Sequence, residues 1–180
     1  QWESLNLYLL DMGYSQEDIC AAGLAIENKN KNGFYDRFRN RIIFPILNIT
    51  GKVIGFGGRA LDSETMPKYL NSPETLVFQK SNNLYGLNFA KKNTGPKRQI
   101  IVVEGYMDVL SLYKYGIKNA VASLGTALTV QHAELLKKHA SEIFIAYDAD
   151  EAGEAATLRS LEIFNKAGCN AKVIRFPKAQ

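Results

Sequence analysis

Two rhythms of apolar and polar positions run along the chain, and one gives way to the other near residue 97. In the second half, short apolar runs alternate with stretches of helical period. Residues 100–103, 120–122, 143–147 and 171–175 read as strands, and residues 107–115, 130–139 and 153–167 read as the helices between them. Four short strands spaced by helices predict a parallel sheet, because parallel neighbours need a crossover connection. Uninterrupted runs such as Ile100-Ile101-Val102-Val103 suit strands covered on both faces. Gly116 and Gly168 fall where helix stops belong.

The first half has a different pattern. Residues 4–10 read as a helix, and Ser15 is placed to cap a second one that reaches Ala22 and stops at Gly23. Two β-branched and aromatic runs follow, at 41–49 and 52–56, joined through Asn48-Ile49-Thr50-Gly51 as a hairpin. The run Gly55-Phe56-Gly57-Gly58 lacks the Lys-Ser/Thr ending of a phosphate loop and reads as a bend closing a strand. Lys91-Lys92-Asn93-Thr94-Gly95-Pro96-Lys97 reads as a linker. The chain is therefore expected to form a small α+β subdomain over residues 1–97 and an α/β domain over 98–180.

Composition narrows the class. With 46% hydrophobic residues in 180, the chain can bury a core, and no apolar run is long enough to span a membrane. Gln1-Trp2-Glu3-Ser4 has neither half of a secretion signal, so a cytoplasmic protein with no membrane partner is expected. Cys20 and Cys169 stand apart without CxxC spacing, which argues against a disulfide framework and against zinc. His132 and His139, seven residues apart without ligand partners, carry no metal signal. The lack of an initiator Met, and an end only a few residues past a strand, read as an excised piece of something longer.

Charge is distributed unevenly. Between Arg37 and Arg98 there are eleven bases and three acids, a local balance of +8 against +4 for the whole chain. Such a stretch points to a polyanionic partner, since basic side chains gain affinity by displacing condensed counterions. A solvated basic surface without a partner is the alternative.

The acids concentrate where ligands bind in open parallel sheets, at the carboxyl ends of the strands. Glu104 directly follows one expected strand and Asp148 another, with Asp150 two residues on. Three hard oxygen ligands from two strand ends suit magnesium or manganese, whose substrates in such sites are phosphates. Two ions roughly 3.5–4 Å apart would serve the entering and leaving oxygens of an in-line displacement. The other reading makes the acids helix caps: Asp150 ahead of Glu151-Ala152-Gly153, and Asp108 behind Gly105.

These motifs also carry a family resemblance. Glu104-Gly105-Tyr106-Met107-Asp108, Ala122-Ser123-Leu124-Gly125-Thr126-Ala127 and Tyr147-Asp148-Ala149-Asp150-Glu151-Ala152-Gly153 together resemble the Toprim domain of bacterial DNA primases. The first half resembles that family's basic subdomain in Arg37-Phe38-Arg39-Asn40-Arg41, Gly55-Phe56-Gly57-Gly58-Arg59, Pro67-Lys68-Tyr69-Leu70-Asn71-Ser72-Pro73-Glu74-Thr75 and Leu84-Tyr85-Gly86-Leu87. The fold this implies is a Toprim-type parallel sheet flanked by helices, preceded by the smaller basic α+β subdomain.

The resemblance implies synthesis of short RNA primers from ribonucleoside triphosphates on a single-stranded DNA template. Glu104, Asp148 and Asp150 would hold one metal ion or two, with Asp108 as a fourth acid or an orienting group. Arg59, Lys68 and Lys80 would contact triphosphate or primer–template phosphates, the two lysines in a catalytic role. Tyr69 and Asn71 would position sugar or base. Arg37, Arg39 and Arg41 alternate along the chain and would form a phosphate track if that run is a strand. Taken singly, Lys68 and Lys80 read equally well as solvated, and Tyr69 as a rim aromatic.

A monomer is expected, with a replicative helicase engaged through a carboxyl-terminal domain not in this sequence. The family's zinc module and its further Asp-Pro-Asp acidic motif near residue 176 are also missing, so weak metal binding and little primer synthesis are expected. Two other readings stand beside the primase one: another Toprim enzyme, such as a topoisomerase or nuclease, and a non-catalytic nucleic-acid or nucleotide-binding module.

Overall fold

A computed structural model describes residues 2–28 and 33–175, so the position of the sought Asp-Pro-Asp motif, from 176 on, lies outside the described residues. Spatially the chain divides into two units, residues 1–46 with 53–79, and residues 47–52 with 80–180. This division takes the tip of the predicted hairpin into the second unit, a partition that composition read along the chain does not register.

In the first unit, α1 (Ser4–Asp11) and α2 (Gln16–Ala21) are followed by β1 (Ala25–Asn28) and β2 (Gly33–Asp36), an antiparallel pair. Ser15 caps α2 as its position predicts, its hydroxyl accepting from the Asp18 amide at 3.1 Å. Helix α1 is capped from far along the chain. Its flanking Glu3 makes no side-chain cap, and the buried Asp36 carboxylate instead accepts from the amides of Leu5 and Asn6, each at 2.8 Å.

The predicted hairpin is present as β3 (Arg41–Leu47) and β4 (Val53–Ala60), and β5 (Tyr69–Asn71) completes a sheet of order β3-β4-β5. Asn48 closes the turn, its side-chain oxygen accepting from the amides of Thr50 and Lys52, both at 3.0 Å. The glycine run at 55–58 does not end the strand. It lies inside β4, where a side chain at Gly55 would press on Phe78 and one at Gly58 on Phe38 and Arg41. Small residues are needed there for close packing.

The second unit opens with a 3-10 turn (Lys80–Asn82) and the short helix α3 (Leu87–Ala90). Next come β6 (Gln99–Val103), α4 (Tyr106–Lys114), β7 (Ala120–Ala122), α5 (Val130–His139), β8 (Glu142–Ile145), α6 (Glu151–Lys166) and β9 (Ala171–Val173). The strands form a sheet of order β7-β6-β8-β9, parallel throughout, as the alternating pattern predicts. Ile100, Val102, Ile143, Ile145, Val121, Leu136 and Phe164 are all buried at its centre. Burying each such side chain contributes on the order of 1.5–3 kcal/mol. No helix among the described residues is long and apolar enough to cross a membrane.

The start of α5 is held by a buried histidine. His132 has no exposed surface; its Nδ1 accepts from the Thr129 amide at 3.2 Å, and its Nε2 bonds the Lys80 carbonyl at 2.7 Å. That pattern requires a neutral ring with the proton on Nε2. Burial accordingly pulls the imidazole below its usual range, against the pull of the carbonyl it faces. A histidine depressed in the folded state gives stability that is present above its unfolded value, about 6.5, and is lost as pH falls through the folded one. Chemical unfolding between pH 7.5 and 5 should therefore show stability declining in the acid direction. His132→Gln should reduce that slope without erasing it, because His139 is also depressed, by burial and then by Lys91, Arg98 and Lys138. Equal slopes in the two proteins would refute this account.

Candidate metal centre

In the sheet order β7-β6-β8-β9, the connection from β6 leads to one side and β8 lies on the other. The crevice above the carboxyl ends of β6 and β8 is thus the point where connections diverge, the favoured ligand position in such folds. The ladder pairs Val102 with Ile145, and the Ala146 amide still reaches the Val102 carbonyl at 2.9 Å. Strand β8 ends at Ile145, so Asp148 stands in the loop beyond it rather than directly at the strand end expected from the apolar run.

Each acid is positioned by a local bond. Glu104 leaves β6, and its Oε1 accepts from the Asp148 amide at 3.0 Å, tying the two strand-end loops together. Asp150 is the N-cap of α6, accepting from Gly153 at 2.7 Å, and Asp108 accepts from the Gly105 amide at 3.0 Å at the start of α4. Both cap readings of the sequence are therefore correct as local structure. Neither cap consumes a whole carboxylate, since each bond occupies one oxygen of two.

Gly153 makes this arrangement possible. A Cβ there would lie 2.1 Å from the Asp148 carbonyl oxygen and 3.0 Å from Glu104 Oε1. The sequence marks this glycine only as a neighbour of the acids; its packing against them comes from the loop's return over the first turn of α6.

The electrostatics of the crevice are read at Glu104. Burial pushes the Glu104 carboxyl above its usual range, the Asp148 amide bond pulls it back, and the charges of Asp148, Asp150 and Asp108 each push it up again. No ion pair found among the described residues involves any of the four. Glu104 borders a cavity of about 380 Å³ that also holds Ser123, Thr126 and Arg159, and Asp148 borders another of about 390 Å³ with Glu154, Thr157 and Arg175; Tyr147 lines both.

The donor chemistry, carboxylate oxygens from the loops after two neighbouring strands, is of the kind that a hard divalent cation takes. The ligand set is less closed than three converging strand-end acids would suggest. Among the described residues, no group of three or more His, Cys, Asp or Glu stands together as a ready metal site. Glu104, Asp150 and Asp108 each direct one oxygen to a backbone amide.

Most of the candidate basic residues lie in the first unit. Arg37, Arg39 and Arg41 do not share one extended run, because the chain bends between β2 and β3, with Asn40 at φ 52°. The single strand on which the expected phosphate track depended is therefore not formed here: β2 ends at Asp36 and β3 begins at Arg41. Arg37 is half-buried and donates to the Asn71 carbonyl through Nε (3.3 Å) and Nη2 (3.0 Å). Arg39 donates to the Asp36 carbonyl and lies over the Trp2 and Tyr35 rings at 4.5 and 4.7 Å. Arg41 begins β3 and reaches the Lys68 carbonyl at 3.4 Å.

Arg59 and Tyr69 are direct partners across β4 and β5, with the Arg59 guanidinium and the Lys68 ammonium each 5.8 Å from the Tyr69 ring. The structure thus places Arg41, Arg59 and Tyr69 on one sheet, with Lys68 just before β5 and Asn71 at the end of that strand. Lys80 lies in the second unit, in the 3-10 turn held by His132. Sequence reasoning missed that clamp, although Thr129-x-x-His132 has the spacing of a helix-capping pair.

Residues 1–91 match the family described as DNA primase catalytic core, N-terminal domain, and residues 101–180 match the Toprim-like family. A DNA primase of Clostridium acetobutylicum is 56% identical over 176 residues, which cover 98% of this chain and 29% of that protein. The chain thus spans under a third of the length of that relative. The solved E. coli primase catalytic core superposes with a TM-score of 0.88 at 40% identity, covering 100% of this chain and 58% of that one. A DnaG primase catalytic domain solved bound to single-stranded DNA superposes with a TM-score of 0.86 at 40% identity, covering 100% and 56%. Carrying both the amino-terminal part of the catalytic core and the Toprim-like domain, this chain belongs to the family of bacterial DnaG-type DNA primases.

Proposed function

We propose that this chain is the part of a primase that joins ribonucleotides into short RNA primers on single-stranded DNA, with residues 1–97 as its basic subdomain and 98–180 as its Toprim domain. The observation that carries the proposal is Glu104 at the β6/β8 crevice of a primase-family chain, bonded to the Asp148 amide and raised in pKa by burial and by the charges of Asp148, Asp150 and Asp108. In the reaction a 3′-hydroxyl oxygen bonds to the α-phosphorus of the next ribonucleoside triphosphate, the α–β bridging bond breaks, and pyrophosphate leaves.

Glu104, Asp148 and Asp150 would hold magnesium or manganese, one ion or two, with Asp108 assisting or orienting. The bound ion would supply electrophilic stabilisation to the phosphoryl oxygens. Glu104 orients the Asp148 loop through its amide, and the Asp150 cap fixes the α6 end of the site. Arg59 and Lys68, beside Tyr69, would hold the triphosphate or template phosphates while the ring stacks on sugar or base. Asn71 would add a polar contact, and Lys80 a compact charge for the triphosphate. Arg41 would extend the same basic face. Arg37 and Arg39 would act mainly by holding this subdomain together, since their guanidinium groups are engaged internally. Template DNA, ribonucleoside triphosphates and the RNA primer are the partners this reading requires, together with a replicative helicase for the longer protein.

Calorimetric titration with manganese tests the core of the proposal. Asp148→Ala should weaken binding by about a hundredfold, the effect typical of losing a principal charged ligand or its support. An unchanged isotherm would remove Asp148 from the metal site and the proposal with it.

A further inference from the structure

We infer that His132 is a positioning residue, which holds the Lys80 turn in the shape that presents the Lys80 side chain; the inference rests on the triphosphate role proposed for Lys80. An imidazole without exposed surface is costly unless both of its nitrogens are bonded. Here both are: Nδ1 accepts from Thr129, and Nε2 donates to the Lys80 carbonyl at 2.7 Å. Thr129 doubles the grip. Its hydroxyl accepts from the His132 amide at 3.1 Å and donates to the Ser81 carbonyl at 2.8 Å. Two consecutive carbonyls of one turn are therefore captured by the start of one helix.

A three-residue 3-10 turn has little hold of its own. Fixing its backbone costs conformational entropy at every residue, which bonds from a rigid helix can offset. Holding the Lys80 backbone limits the region its four-carbon stem can reach, so the clamp narrows where the ammonium can go. The clamp engages the carbonyl of Lys80 and not its ammonium. A histidine suits the task because it satisfies the helix amide with one nitrogen and the turn with the other. An aliphatic residue of similar size would remove the bond to the Thr129 amide and leave the Lys80 carbonyl with the longer bond from the Asn83 amide, at 3.5 Å.

Two conservative variants separate these jobs. A glutamine in place of the histidine would be long enough to set an amide donor near the former Nε2, whereas an asparagine would retain only the acceptor toward Thr129. The experiment is therefore His132→Gln against His132→Asn in the whole chain. Amide hydrogen exchange over residues 80–83 should accelerate about tenfold in His132→Asn and stay within about twofold of wild type in His132→Gln, as expected for loss of one buried hydrogen bond. The amides of β6 and β8 should keep their protection in both variants. ATP binding in the presence of manganese should weaken about fivefold to tenfold in His132→Asn and recover in His132→Gln. In a Lys80→Ala background, His132→Asn should cause no further loss.

Unchanged exchange of the turn in His132→Asn would overturn the clamp. Additive losses of ATP binding in the Lys80→Ala background would overturn its action through Lys80. Lys80→Ala binding ATP like wild type would instead overturn the proposed triphosphate role of Lys80, an outcome the exchange measurement distinguishes from failure of the clamp.

Discussion

Gly153→Ala is expected to dismantle the acidic crevice while leaving the sheet beneath it folded. The new methyl carbon would lie 2.1 Å from the Asp148 carbonyl oxygen and 2.9 Å from its carbon, and 3.0 Å from Glu104 Oε1. The obstacle is backbone, which cannot rotate away as the end of a flexible side chain can. The 148–150 loop would have to retreat by about an ångström, a displacement close-packed interiors do not absorb freely. Overpacking of this kind costs about 1–3 kcal/mol, occasionally more.

The functional loss should exceed the loss of stability. Retreat of the loop stretches the bond from the Asp148 amide to Glu104 and moves Asp148 away from the other acids. Sites displaced by about an ångström lose much of their ligand affinity. Manganese affinity by calorimetry should fall at least tenfold, with β6 and β8 amides still protected from exchange. Wild-type affinity together with an unchanged melting temperature would show that the loop does not constrain the site.

Asp36→Ala should produce the largest loss of stability in the first unit. The carboxylate is buried, and both its oxygens accept amide bonds at 2.8 Å from the first turn of α1. That first turn has no acidic residue of its own, so Asp36 also supplies the negative charge favoured at a helix start. Hydrogen bonds to charged groups contribute about 1.5–3 kcal/mol each, and loss of an N-cap costs about 0.5–2 kcal/mol. Because these figures overlap, a total near 3 kcal/mol is expected, or roughly 10–20 °C in the melting transition of a unit this size. Asp36→Asn, which keeps one acceptor oxygen, should fall between. Thermal unfolding followed by exchange at the α1 amides measures both, and a shift under about 2 °C for Asp36→Ala would contradict the assignment.

The two predictions differ in how visible their residues were along the chain. Gly153 stands within a motif whose neighbours announce it, but the reason for its smallness is a contact with a carbonyl five residues earlier. Asp36 stands in no motif. Its partners lie 31 and 30 residues away, and the residue adjacent to the helix start, Glu3, makes no cap. Strands β1, β2 and β5 escaped notice because they are short and partly polar, and their pairing partners, not their own pattern, make them strands.

What the chain determined by itself is the alternation of buried strands and helices in its second half and the placement of Glu104, Asp148 and Asp150 beyond strand ends. Those features follow from local periodicity, which every compact arrangement must respect. The family motifs were also legible locally. Only the tertiary structure decided that Arg37 and Arg39 are spent on internal contacts, that Asp36 caps a distant helix and that His132 grips the Lys80 turn. Each of these depends on a bond or ring contact between residues well separated in sequence. A polar side chain's partner is fixed by what folding brings within about 3 Å of it, and no local pattern of apolar and polar positions encodes that.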